Sequence, residues 1–106
     1  MVRIQINDAS RTLTDPRDVD ESWINQQINR RRQAGEPVCV MVTIKTDSID
    51  FTLNSEGCSG GRGMSRSLTS QEQGALDLWE RTGLRKASFQ GGHLIAFLKQ
   101  LRKVTG

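Results

Sequence analysis

The chain has 106 residues, 35% of them hydrophobic, and a formal net charge of +3, which fits a single domain with a core of its own and excludes the disordered class. It holds no apolar run of about 18 residues, which excludes a membrane-spanning helix, and its opening residues MVRIQINDAS lack the apolar region of a signal peptide. Two cysteines, Cys39 and Cys58, are too few for a disulfide framework, so the expectation is a cytoplasmic protein with both thiols reduced.

In chain order, Val2, Ile4 and Ile6 alternate with Arg3, Gln5 and Asn7, which predicts a half-buried strand. Residues 8–14 are polar and read as a loop. Asp15-Pro16 can start a helix, with Asp20 as a later cap. Val19, Trp23, Ile24 and Ile28 form its apolar stripe. Arg30, Arg31 and Arg32 fall in its last turn, where cations complement the helix dipole, and read as a solvated helix end. Gly35 ends the helix and Pro37 prevents its resumption.

Val38 to Thr46 is apolar on both faces in its first half, as a central strand would be. After a short Asp47-Ser48 turn, Ile49, Phe51 and Leu53 alternate with Asp50, Thr52 and Asn54. A two-residue turn sets Lys45 opposite Asp50, Ile44 opposite Phe51, Thr43 opposite Thr52 and Val42 opposite Leu53, each a compatible pair. Val40, Val42, Ile44, Ile49, Phe51 and Leu53 then share the core face. Arg3, Gln5, Cys39, Met41, Thr43, Lys45, Asp50 and Thr52 share the other, with an apolar island at Cys39 and Met41.

Four glycines occur in the seven positions from Gly57 to Gly63. Residues 56–67 therefore read as a flexible glycine-rich loop joining the sheet half of one domain, 1–106, to two C-terminal helices. Thr69 and Glu72 make a capping box for the second helix. Ala75, Leu76 and Trp79 are its buried stripe, Leu78 its margin, and Gly83-Leu84 its end. The third helix runs from His93 to about Lys103, with Leu94, Ile95, Phe97, Leu98 and Leu101 inward. The fold class is α+β, in the order β-α-β-β-α-α, with a three-stranded sheet and all three helices on one face. If the first two strands are parallel neighbours, the first helix is their right-handed crossover.

Leu68-Thr69-Ser70-Gln71-Glu72-Gln73 resembles the opening helix of LuxR-type helix-turn-helix domains over about fifteen residues. The stretch from Gly83 to Gly92 is too long for that motif's turn, and the third helix is apolar where a recognition helix is polar. No family is assigned on it.

Charge is uneven. Residues 1–56 hold seven basic and nine acidic residues, and residues 57–106 hold eight and three. A basic C-terminal half admits an anionic partner such as nucleic acid. The candidate anion-binding residues are Gly60, Gly61, Arg62, Gly63, Arg66, Arg85, Lys86, Lys99, Arg102 and Lys103. The loop fails both the Walker A and the dinucleotide spacings, and reads first as a connector. A Cys58–His93 pair is the one conceivable nucleophile and base, with no signature around it, so no catalytic residue is assigned. Cys39, Cys58 and His93 lack the paired spacing of a metal site, so no metal or cofactor is expected. The function reading is a small non-catalytic protein-interaction module with an unknown protein partner and no membrane. The alternative is a basic module that binds an anion or nucleic acid.

Overall fold

The structure is a computed structural model that describes residues 1–46, 49–55, 57–58, 67–85 and 90–105. The alternating N-terminal segment forms strand β1, Val2–Ile6, with Val2, Ile4 and Ile6 buried. Asn7-Asp8 then reverses the chain. Asn7 takes a left-handed φ of 55°, which asparagine tolerates better than most residues and which suits a two-residue hairpin turn. The next residues, Ala9–Leu13, form strand β2, paired antiparallel with β1 from Val2↔Leu13 to Ile6↔Ala9.

This strand corrects the expected loop over residues 8–14 and the three-stranded sheet. Arg11 occupies an inward position, opposite Ile4, and so breaks the apolar alternation. Its guanidinium lies 5.2 Å from the centroid of the Trp23 ring and 3.7 Å from the Asp20 carboxylate. A long charged side chain can thus cover apolar surface while its head stays in contact with water.

Asp15 caps a 3-10 turn, Pro16–Asp18, and Asp20 caps helix α1, Glu21–Gln33. Both expected start signals are used, one for each element. Gly35 follows with φ 72°. Strand β3, Val40–Thr46, pairs antiparallel with β1, and strand β4, Ile49–Asn54, pairs antiparallel with β3. The sheet order is β2-β1-β3-β4. The conditional parallel crossover is corrected: β1 lies between β2 and β3, antiparallel to both. The β3–β4 register runs Val42↔Leu53, Thr43↔Thr52, Ile44↔Phe51 and Lys45↔Asp50, as the cross-strand pairing predicts. The expected Asp47-Ser48 turn and the inward side chain of Ile49 lie outside what is described.

Thr69 and Glu72 close the capping box at the start of helix α2, Ser70–Arg81. Gly83 takes φ 75° beyond its end and Leu84 is buried. Leu78, expected at the margin, is buried too. Helix α3, Gly91–Thr105, begins two residues earlier than expected. One hydrophobic cluster joins the inward sheet residues to Ile24 and Ile28 of α1, to Leu76 and Trp79 of α2 and to Leu94, Phe97, Leu98 and Leu101 of α3. Trp79 and Phe97 meet edge to face at 5.3 Å, a favourable aromatic geometry. All three helices share this core, on one face of the sheet. The Cα radius of gyration, 12.9 Å, is that of one compact domain of this length, about 13 Å.

Arg31 corrects the solvated reading of the arginine run. With Ile24, Gln27 and Ile28 it completes the buried side of α1, and its side chain is only 10% exposed. It pairs with Asp8 in the β1–β2 turn and lies 3.9 Å from Glu36. It thereby ties the C-terminal end of the helix to the hairpin turn.

Candidate functional site

The helices leave the second face of the sheet without a helical cover among the described residues. Every described outward side chain on it is exposed or half-exposed. Antiparallel sheets commonly keep one solvated face of this kind. The register arranges its residues in rows. Thr12, Arg3, Thr43 and Thr52 stand side by side across all four strands. Ser10, Gln5, Met41 and Asn54 form the next row. The Thr43 and Thr52 hydroxyls lie 3.4 Å apart. The surface is thus mainly hydroxyl and amide, with Met41 half-buried within it.

One end of this face holds a shallow hollow of about 220 Å3 lined by Met1, Arg3, Thr12, Thr43, Lys45 and Asp50. Arg3, Lys45 and Asp50 are exposed. Lys45 and Asp50 are cross-strand partners, yet neither makes an ion pair among the described residues.

The other end is closed by a disulfide between Cys39 and Cys58, with Cα atoms 4.7 Å apart. This corrects the expectation of two reduced thiols and rules out the merely conceivable Cys58–His93 pair in this state, since the Cys58 sulfur is bonded. The turn that carries Cys58 is held in other ways as well. The Val40 N–H donates to Ser55 Oγ at 3.1 Å, and the Ser55 N–H donates to the Val40 carbonyl at 3.0 Å. Gly57 packs so closely that a Cβ there would lie 2.1 Å from the Val38 carbonyl oxygen. Asn7 completes the corner: its Oδ1 accepts from the Cys39 N–H at 2.8 Å and its Nδ2 donates to the Pro37 carbonyl at 3.2 Å.

The disulfide carries a signal that sequence reasoning passed over. Asn54 is opposite Met41, and the hydrogen bonds of Ser55 extend the pairing to Val40. Cys58 therefore only has to turn back to reach Cys39. For Arg31 the signal was spacing: positions 24, 27, 28 and 31 form one helical stripe.

The residues singled out for anion binding fall into two groups. Gly60, Gly61, Arg62, Gly63, Arg66 and Lys86 lie outside the described residues. Of the others, Arg85 pairs with Glu80 at 3.0 Å, Lys99 with Glu21 at 2.7 Å and Arg102 with Asp15 at 3.2 Å. The last two fasten α3 to α1 and to the 3-10 turn. Lys103 is exposed near the end of α3. His93 is exposed in the first turn of α3. Among the described residues no cluster of His, Cys, Asp and Glu could hold a metal ion, and no helix is long and apolar enough to cross a membrane. Comparison with protein-family models, with curated proteins and with solved structures returns no match.

Proposed function

We propose that the chain is a small, non-catalytic protein-interaction module whose contact surface is the sheet face that no described helix covers. One observation carries this reading. Helices and core occupy a single face, while the other presents ordered rows of hydroxyl, amide and charged side chains on a rigid four-stranded platform. Such a platform offers preset hydrogen-bonding groups at little entropic cost, because strand pairing already fixes their backbone.

The anion or nucleic-acid reading of the C-terminal half has less support. Arg85, Lys99 and Arg102 already neutralise Glu80, Glu21 and Asp15, so a phosphate would have to compete with those carboxylates. The cytoplasmic setting loses the reduced thiols on which it leaned. A bond such as Cys39–Cys58 persists in oxidising surroundings, and we place the module where that bond survives.

A photo-crosslinking residue at Thr52, on the sheet face, tests the docking surface against one at Gln73, exposed on α2. In extract from the native host, Thr52 should yield one discrete protein adduct and Gln73 none. Equal labelling from both positions, or none from Thr52, refutes the proposal.

A further inference from the structure

We infer that the hollow at Arg3 and Lys45 is a receptor for a carboxylate side chain, so that the partner presents an acidic segment to the sheet. The inference rests on the reading of this face as the docking surface and adds the chemistry that would be recognised there.

Much of the positive charge on this fold is committed internally. Arg11 faces Asp20, Arg31 faces Asp8 and Glu36, and Arg102 reaches Asp15. Arg3 and Lys45, like Arg30, Arg32, Arg81 and Lys103, form no ion pair among the described residues, and what sets these two apart is that they line one hollow on the sheet face. Arg3 stands on β1, an inner strand, with Thr12 and Thr43 directly opposite it on the two neighbouring strands. A guanidinium there offers two parallel N–H donors, the geometry that matches a carboxylate, and the adjacent hydroxyls can donate to the same oxygens.

Size and charge narrow the ligand. The hollow holds about 220 Å3, which is below the ~300–1,000 Å3 typical of small-molecule pockets and several times the ~30 Å3 share of one water. A single side chain fits. Arg3, Lys45 and the Met1 amino group together with Asp50 leave two units of positive charge. An acidic segment with one carboxylate in the hollow and a second at its rim balances it. A phosphate group, at about −1.5 to −2 near neutral pH, carries a similar charge and is the ligand against which the carboxylate must be compared.

The test is an amide-detected NMR titration of the oxidised protein with a blocked peptide of alternating Glu and Thr. A matching Gln–Thr peptide and inorganic phosphate serve as the other two probes. The Glu peptide should shift the amides of Arg3, Thr12, Thr43 and Lys45. The Gln peptide should bind about ten-fold more weakly, the scale set by loss of a charge-assisted hydrogen bond. Arg3→Gln and Lys45→Gln should each weaken binding of the Glu peptide, while Asp50→Asn should strengthen it. These residues are exposed, so dispersed spectra will confirm that the variants fold.

Equal binding of both peptides, tighter binding of phosphate, an unchanged affinity in Arg3→Gln, or no shifts in this region would each overturn the inference. The two proposals fail separately. If the Thr52 crosslink survives Arg3→Gln with Lys45→Gln, docking stands and the carboxylate receptor falls. If Thr52 yields no adduct in the parent protein, the docking reading itself falls.

Discussion

Reduction of the Cys39–Cys58 bond should act mainly on the unfolded chain. The bond spans a sequence separation of 19 residues. The entropy removed from the unfolded state by closing such a loop corresponds to about 3 kcal/mol. Little should be lost on the folded side, because the Ser55–Val40 hydrogen bonds and the seat of Gly57 against Val38 remain in place. Thermal midpoints of domains near this size move by roughly 4–8 °C per kcal/mol, so the reduced protein should melt about 12–24 °C lower. Urea unfolding of the oxidised protein, the dithiol-reduced protein and the Cys39→Ala/Cys58→Ala variant measures the effect. The last two should agree, with nearly native amide spectra before the transition. Coincident midpoints for all three would refute the reasoning. So would two alkylatable thiols in the folded protein without reductant.

Gly57→Ala forces a Cβ into the Val38 backbone carbonyl. Because backbone cannot step aside as a side chain can, it should destabilise by roughly 1–3 kcal/mol or more in urea unfolding. Arg31→Met should cost less than a typical broken buried pair, about 1–2 kcal/mol, since the abandoned Asp8 is 90% exposed and returns to water. Amide exchange should then quicken in the β1–β2 turn, and unchanged exchange there would deny the tie. Thr69→Ala removes the acceptor that caps the Glu72 N–H at 3.2 Å and should cost about 1 kcal/mol, read as a lower midpoint. Lys99→Ala loses an exposed pair with Glu21 and should change stability by less than about 1 kcal/mol; a larger loss would mean that this pair fastens α3 more strongly than its exposure implies.

The features legible in the sequence were those set by neighbours along the chain or by a short turn. The capping box needs only Thr69 and Glu72, one helical turn apart. The left-handed positions after α1 and α2 fall on Gly35 and Gly83, where glycine relieves the cost. The β3–β4 register follows from short-range pairing, and it sorted the outward residues Thr43, Lys45 and Asp50 from the core, as the alternation within β1 sorted Arg3. The elements missed share one property: their stabilising partners are remote. Strand β2 has too little apolar alternation to be read alone, because Arg11 faces inward and is satisfied by Trp23 and Asp20 of another element. Arg31 is buried because the β1–β2 turn brings Asp8 to it.

The outward face shows the division most clearly. By itself, the period-two pattern of the strands determined which side chains point away from the core, since alternate residues must lie on opposite faces. Only the tertiary structure decided that Arg3 is flanked by Thr12 as well as Thr43, that it shares a hollow with Lys45, and that a disulfide closes the far end. Those adjacencies depend on strand order and on which edge β2 occupies. The β1–β2 and β3–β4 pairings join chain neighbours, but the β1–β3 pairing that sets the order spans helix α1, a separation that no short window of sequence contains.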